Sequence, residues 1–240
     1  MFGALINGLG ILFGALFGLG RQAPLSLRTQ HFFKSALAAC TALYGLRLVL
    51  ENLSGSFGNC VKQLALALLA VVLGQLLGKI LALQKISNRC GRYAANLLAA
   101  AQKNPPGRPL DGWLAATILY TAAPLGILGA VADGLSGYFY LFALKAVMDG
   151  LAMASFVKLF RWPVALAALP VFAFLNGLTI GVHQFGLPLL NPLALVSAVN
   201  LTAGLITCAT VLVILEVRRV ELANYLPALV VAPLLVKFLG

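Results

Sequence analysis

The chain is a succession of apolar runs, each near the length of a membrane-crossing helix, joined by short polar links, and that spacing limits what it can become. Eight runs can be drawn, at roughly 2–20, 35–52, 62–81, 112–132, 138–157, 162–182, 189–215 and 222–239. A hydrocarbon core about 30 Å thick is crossed by about 20 helical residues. Of the 240 residues 61% are hydrophobic and only 10% charged, against about 25% charged in an ordinary soluble domain. Mean hydropathy is +0.98, and so few charges could not cover a soluble surface. The expected fold is all-α, a polytopic transmembrane helical bundle of about eight segments. It becomes seven if the last, interrupted by Pro227 and Pro233, re-enters instead of spanning. Residues 1–240 read as a single integral membrane domain.

The formal net charge is +11, and its distribution carries more information than its size. Links after the first, third, fifth and seventh runs hold nearly all the basic residues: Arg21, Arg28 and Lys34, then the stretch from Lys79 to Arg108, then Lys158 and Arg161, then Arg218 and Arg219. Alternate links hold little beyond Lys62, Asp133 and His183. The positive-inside rule produces this alternation, with both termini outside if all the runs span. Topology thus accounts for the charge, and no nucleic-acid partner is needed to explain it. No basic residue precedes the first run, and its basic flank follows at Arg21, a pattern that favours a retained helix over a cleaved signal. Cys40, Cys60, Cys90 and Cys208 stand apart, with no metal-ligand or disulfide spacing. No metal site and no cofactor are expected.

Gly10, Gly14 and Gly18 recur every fourth residue, and Gly74 and Gly78 repeat the device. Small residues at that spacing line one helix face and let two helices approach closely in lipid. The alternative is a glycine face bordering a solute path; a homo-oligomer is also compatible with the chain. Between the third and fourth runs, residues 85–103 put Ile86, Cys90, Tyr93, Ala94, Leu97 and Ala101 on one face, and Lys85, Arg89, Arg92 and Asn96 on the other. This predicts a cytoplasmic amphipathic helix resting on the lipid bilayer, closed by the turn Asn104-Pro105-Pro106-Gly107. Pro124, followed by Gly126 and Gly129, is the best candidate for a broken helix. A proline removes an intrahelical hydrogen bond, and the freed carbonyl needs another partner; a packed kink and a solute-binding break are both open at this point. INGLGI at 6–11 and LNGLTI at 175–180 are alike and run in opposite directions, a weak sign of an inverted repeat.

Within YLFALKAVMDGLAM, residues 140–153, Lys145 and Asp149 lie one helical turn apart on one face. Counted from Tyr138 they lie roughly 10 Å and roughly 16 Å deep, the second near the midplane. An unpaired charge there costs several kcal/mol, and a pair serving only mutual neutralisation could be replaced by leucines at little cost. Asn7, Gln75, Thr117, Thr121, Asn176, Asn200 and Thr202 fall at comparable depth. Each can be interhelical glue worth about 1 kcal/mol or less, or together they can line a hydrated cavity. Arg47 and Glu51 form another four-spaced pair near a segment end, where they can snorkel to water. Asp133 sits at the outer mouth of the fourth run, placed to attract cations or simply to be solvated. Enzyme readings find no support. His31 and His183 fall on opposite sides, no HExxH occurs, Asp149 lacks a GxGD context, and Ser136 lacks GxSxG.

The string ILYTAAPLGILGAVADGLSGYFYLFALKAVMDGL at 118–151 resembles the signature of the YdfK/YqgA-like family of bacterial membrane proteins, a domain of unknown function. LINGLGILFGALFGLG, LGQLLG and VRRVELANYLPALVVAPLL agree with the same family, so the resemblance covers nearly the whole chain. Position by position it takes in Asn7, Asp133, Gly134, Lys145, Asp149 and Gly150, and at the end Asn224 and Pro227. Gln75 stands where the family pattern has a glutamate, and AVNLTAGL around Asn200 departs from its acidic turn. The resemblance implies a multi-pass protein of the bacterial inner membrane with a role in transport, and it supplies no substrate.

The functional expectation is a small transporter or channel for a small polar solute or ion. It would use Lys145 and Asp149 at its centre, with Asn7, Asn176, Asn200, Thr121, Gln75 and Asp133 as candidate lining and Pro124 as the helix break. The competing expectation is a non-transporting assembly or regulatory protein whose charged pair fixes packing.

Overall fold

The computed structural model describes residues 2–21, 26–103, 106–190, 193–218 and 220–239, and among them every regular element is helical. By length and composition, seven helices are apolar enough to cross a membrane. They are α1 (Gly3–Gly20), α2 (Leu27–Glu51), α3 (Phe57–Ile80), α7 (Tyr140–Phe160), the composite Trp162–Leu189, α10 (Leu193–Ile214) and the terminal stretch Leu222–Leu239. An eighth is the pair α5 (Pro109–Ala122) and α6 (Pro124–Ser136), which together pass the same test but are bent by 55°. The composite runs from a 3-10 turn at Trp162–Ala167 through α8 (Ala168–Gly181) and a π turn at Val182–Gly186 to the short α9 (Leu187–Leu189). The terminal stretch opens with a 3-10 turn, Leu222–Tyr225, and continues as α11 (Ala228–Leu239), which keeps Pro233 inside it.

Helix ends follow local chemistry. The second helix begins at Leu27 and not near residue 35, because the Ser26 hydroxyl accepts the Thr29 N–H at 3.2 Å and starts it within the basic link. Prolines open α5 and α6, where a missing N–H costs nothing. α6 stops at Gly137, whose φ of 70° lets the Gly137 and Tyr138 N–H groups turn back onto the Asp133 and Ala132 carbonyls.

Packing is organised by small residues. α1 lies parallel to α7, with Gly10 against Ala146, Gly14 against Gly150 and Gly18 against Ala154. α2 and α10 run antiparallel through Gly45 and Gly204, and α3 meets the chain's last helix where Gly74 touches Ala228 and Gly78 touches Asn224. Lipid tails are as apolar as leucine, so close backbone approach supplies the attraction that the hydrophobic effect supplies in water. α7 occupies the middle: Phe142, Phe156 and Phe160 join an apolar cluster with α5 and α8, while Leu141 and Leu144 join another with α6 and α10. At the end away from the basic links, Tyr138 donates to the Tyr44 carbonyl at 2.7 Å, and Tyr44 stacks on Tyr140 at 4.8 Å. Arg47, paired with Glu51 at 2.6 Å, lies 4.9 Å over the Tyr140 ring. Aromatic rings with a half-exposed ion pair suit a membrane–water boundary.

The amphipathic segment forms α4 (Leu83–Lys103), which also docks on the bundle. Ala94 and Ala101 are buried, and with Leu97 and Leu98 they pack against Ala115, Ala116 and Phe160. The small side chains let the helix dock on α5, leaving Ile86 and Tyr93 as its exposed apolar flank. The closing turn lies partly outside the described residues, which omit Asn104 and Pro105, as they omit Arg219 of the basic links.

A Cβ on Gly14 would enter the carbonyl of Gly150, whereas one on Gly20 would meet nothing. Overpacking costs about 1–3 kcal/mol or more, so Gly14→Val is expected to lower the melting temperature in detergent or to abolish folded protein. Gly20→Ala is expected to melt like the parent.

Candidate functional site

Asp149 falls at the centre of α7, about 14 Å along a helix of about 32 Å. Lys145 precedes it by one turn and donates from Nζ to Asp149 Oδ2 at 2.7 Å. The two residues are 1% and 7% exposed, so the contact is closed to solvent in this conformation. The ammonium also lies 5.8 Å from the centre of the Tyr120 ring on α5, near the outer limit of a cation–π contact.

The break in the neighbouring helix brings backbone to the same place. Ala123 is extended (φ −68°, ψ 122°) ahead of Pro124, as the residue before a proline prefers to be. The first turn of α6 then passes the lysine stem, where a Cβ on Gly126 would stand 3.1 Å from Lys145 Cε. The last four carbonyls of α5 have no continuing helix to bond; Thr121 Oγ1 donates one turn back, to the Thr117 carbonyl at 2.7 Å.

Two neighbours hold polar atoms that are buried outside hydrogen-bond geometry. Asn7 on α1 is fully buried, close enough to interact with the Asp149 carboxylate, yet neither Nδ2 nor Oδ1 meets hydrogen-bond geometry. Tyr120 Oη on α5 is also buried without a partner, as is Thr117 Oγ1 three residues before it. Each such group costs about 1–3 kcal/mol. Tyr120 escaped the sequence reading; its signal was a tyrosine one turn before Pro124, on the face a broken helix turns inward.

The remaining candidates separate. Asn176 is half-buried on α8, which packs on α1. Asn200 on α10 is buried at the other side of the bundle and donates to Asn52 Oδ1 at 3.3 Å. Asn52 in turn lines a separate, mainly apolar cavity of about 370 Å³, to which Lys62, Gln63 and Ser197 also contribute. Gln75 is half-buried on α3, a helix that packs on α10 and α11. Asp133 is not solvated: it is 2% exposed, and its Oδ2 accepts the Gly3 N–H at 3.1 Å, capping the start of α1. A carboxylate there also favours the positive end of the helix dipole.

The model of a protein family of unknown function, DUF554, matches residues 2–237. The chain belongs to the DUF554 family. Among relatives, the uncharacterized protein YqgA of Escherichia coli is 26% identical over 97% of this chain and 94% of its own length. The uncharacterized membrane protein YdfK of Bacillus subtilis is 22% identical over 98% of this chain and 96% of its own. No solved structure matches. The family stretch ANYLP falls on the clasp that holds α4 to the last segment. Asn224 Oδ1 accepts the Gln84 N–H at 3.0 Å, Gln84 Oε1 accepts the Ala223 N–H at 3.2 Å, and Asn224 Nδ2 donates to Glu221 at 2.8 Å.

Removing one partner of a buried ion pair strands the other and typically costs about 3–5 kcal/mol. Lys145→Met and Asp149→Asn are each expected to destabilise the protein by that order in a denaturant or thermal melt. The double substitution is expected to recover most of the loss.

Proposed function

We propose that this member of a membrane-protein family of unknown function, with several apolar helices, is a multi-pass protein of the bacterial inner membrane, both termini outside, that moves a small polar solute or ion through an occluded site at Lys145 and Asp149. Basic residues gathered on alternate links support that orientation. The observation that carries the transport reading is Asn7: a fully buried amide beside a buried ion pair, within reach of the Asp149 carboxylate but with both polar ends outside hydrogen-bond geometry. A packing device gains nothing from leaving those atoms unpaired, whereas a site for a hydrated ion or polar solute needs donors and acceptors not already taken. The α5–α6 break offers backbone groups at the same depth, as in transporters built on discontinuous helices. The pair is closed on itself, which suits a carrier passing through an occluded state better than an open channel. No catalytic role is assigned.

The closed 2.7 Å contact also fits the second reading, in which the pair only fixes packing in an assembly or regulatory protein. Flux separates the two. Protein in liposomes with a trapped pH dye is challenged with gradients of sodium, potassium, chloride, phosphate or acetate. The wild type is expected to carry at least one of these, and the Lys145→Met/Asp149→Asn double variant to lose the flux at least tenfold while remaining folded. Flux unchanged in the double variant would assign the pair to packing.

Asn7→Leu supplies an independent check. Removing an orphaned amide is expected to raise stability by about 1–3 kcal/mol while slowing flux, a trade that a structural asparagine would not make.

A further inference from the structure

The cavity of about 370 Å³ that Asn52 lines lies between α3, α10, α11 and the turn joining α2 to α3. None of its described lining residues belongs to α1, α5, α6 or α7, so it is separate from the charged pair. Its volume is near the lower end of the range for small-molecule sites. The mouth is at the end of the bundle away from the basic links, where Ser54, Asn59, Lys62 and Leu193 are exposed. The floor is apolar and made of buried side chains, Ala67, Leu201 and Ala232. From Leu193 to Leu201 the cavity follows about 12 Å of α10.

Part of the polar rim is already committed to structure. Gln63 clamps the turn onto α3: its Oε1 accepts the Ser54 N–H and its Nε2 donates to the Ser54 carbonyl, both at 3.1 Å. Asn52 Nδ2 donates to the Leu48 carbonyl at 2.8 Å, and its Oδ1 accepts from Asn200 Nδ2 at 3.3 Å. The rest of the rim is free. Among the described residues, no hydrogen bond or ion pair ties Lys62 Nζ, the Asn59 side-chain amide or the Ser197 hydroxyl. Ser197 differs in this from its own helix, where Thr202, Thr207 and Thr210 each donate to the carbonyl one turn back. A fixed frame thus presents a cation, an amide and a hydroxyl that the protein itself does not use.

We propose that this cavity binds an aliphatic monocarboxylate, its carboxylate held at the rim by Lys62, Asn59 and Ser197 and its hydrocarbon laid on the floor of Ala67, Leu201 and Ala232. The chemistry of the lining selects that class. Lys62 is the one charged group among the described lining residues, and an ammonium bonds a carboxylate roughly twice as strongly as a neutral group. An alcohol forgoes that contact. An amine or an amino acid would set a second ammonium beside Lys62, with no carboxylate among those residues to receive it. Acetate or an inorganic anion would leave the apolar floor uncovered and gain nothing from it. The site uses none of the residues of the transport reading and would survive its failure.

The test uses the full chain in phosphatidylcholine nanodiscs with radiolabelled octanoate at neutral pH, read by scintillation proximity. Empty nanodiscs give the uptake due to lipid alone. Octanoate is expected to bind saturably, near one per chain. Octylamine, octanol, leucine and acetate are each expected to compete at least tenfold more weakly than unlabelled octanoate. Lys62→Gln, which removes a charge from the exposed rim without touching the packing, should weaken binding at least fivefold. Ala198→Phe, which fills the cavity from the half-buried side of α10, should weaken it at least tenfold. Lys237→Gln removes an equal charge from α11 outside the cavity and should leave binding unchanged. Uptake no greater than that of empty nanodiscs, or affinity unchanged in Lys62→Gln, would overturn the proposal. Equal competition by octanol would overturn it by making the charge irrelevant, and equal competition by acetate by making the floor irrelevant.

Discussion

The close approach of α1 to α7 is the contact on which the rest depends. In lipid, helices gain little from hiding apolar surface from one another, so attraction comes from dispersion between backbones brought close together. Gly10, Gly14 and Gly18 allow that approach because a side chain at any of them would collide with Ala146, Gly150 or Ala154. This seam sets where Asn7 stands relative to Asp149. A bulky residue in the seam would therefore change the electrostatics of the site as well as the packing.

With water excluded, the ammonium of Lys145 must be held by what the protein supplies. Asp149 gives the largest part, and the Tyr120 ring adds a smaller one. Tyr120 belongs to the last turn of α5, where the negative end of the helix dipole also favours a cation. The Ala123–Pro124 break also sets the first turn of α6, the positive end of its dipole, beside the lysine stem, which favours the Asp149 carboxylate over the ammonium. The buried polar atoms of Asn7 and Tyr120 beside the pair stay outside hydrogen-bond geometry, as do Thr117 Oγ1 on α5 and Asn200 Oδ1 on α10.

Much of this could be read from the sequence, for reasons that differ between elements. Apolar runs marked the long helices because bilayer thickness imposes their length, and the Lys145–Asp149 spacing fixed a shared helical face before any tertiary contact was known. Proline chemistry pointed to residue 124, where the chain does bend. Partnership was harder to see. Asn200 and Gln75 share the depth of Asn7 along their helices, yet they belong to the α2–α10 and α3–α11 sides of the bundle, and periodicity cannot say which helix faces which. Asp133 reads as a mouth residue, placed to attract cations or to be solvated, because it ends the fourth apolar run; only the arrival of α1 from far along the chain turns it into a buried cap. The docking of α4 was hidden for a similar reason, since its amphipathic pattern fits a lipid surface and a protein surface equally well.

The two faces of the α1–α7 seam bear on each other energetically. The inner face carries the charged pair and Asn7; the outer face carries an apolar furrow, with Phe13, Phe17 and Val147 along its edges. Any ligand that fits the furrow in its present shape binds the closed seam and not an open one, and so stabilises the closed seam by its own binding free energy. Opening the inner face by separating α1 from α7 would have to work against that term, whereas opening it by moving α5 and α6 about their break would not. Moving α5 and α6 about Pro124 would leave the glycine contacts between α1 and α7 in place, but it would have to release the Asp133 cap on α1.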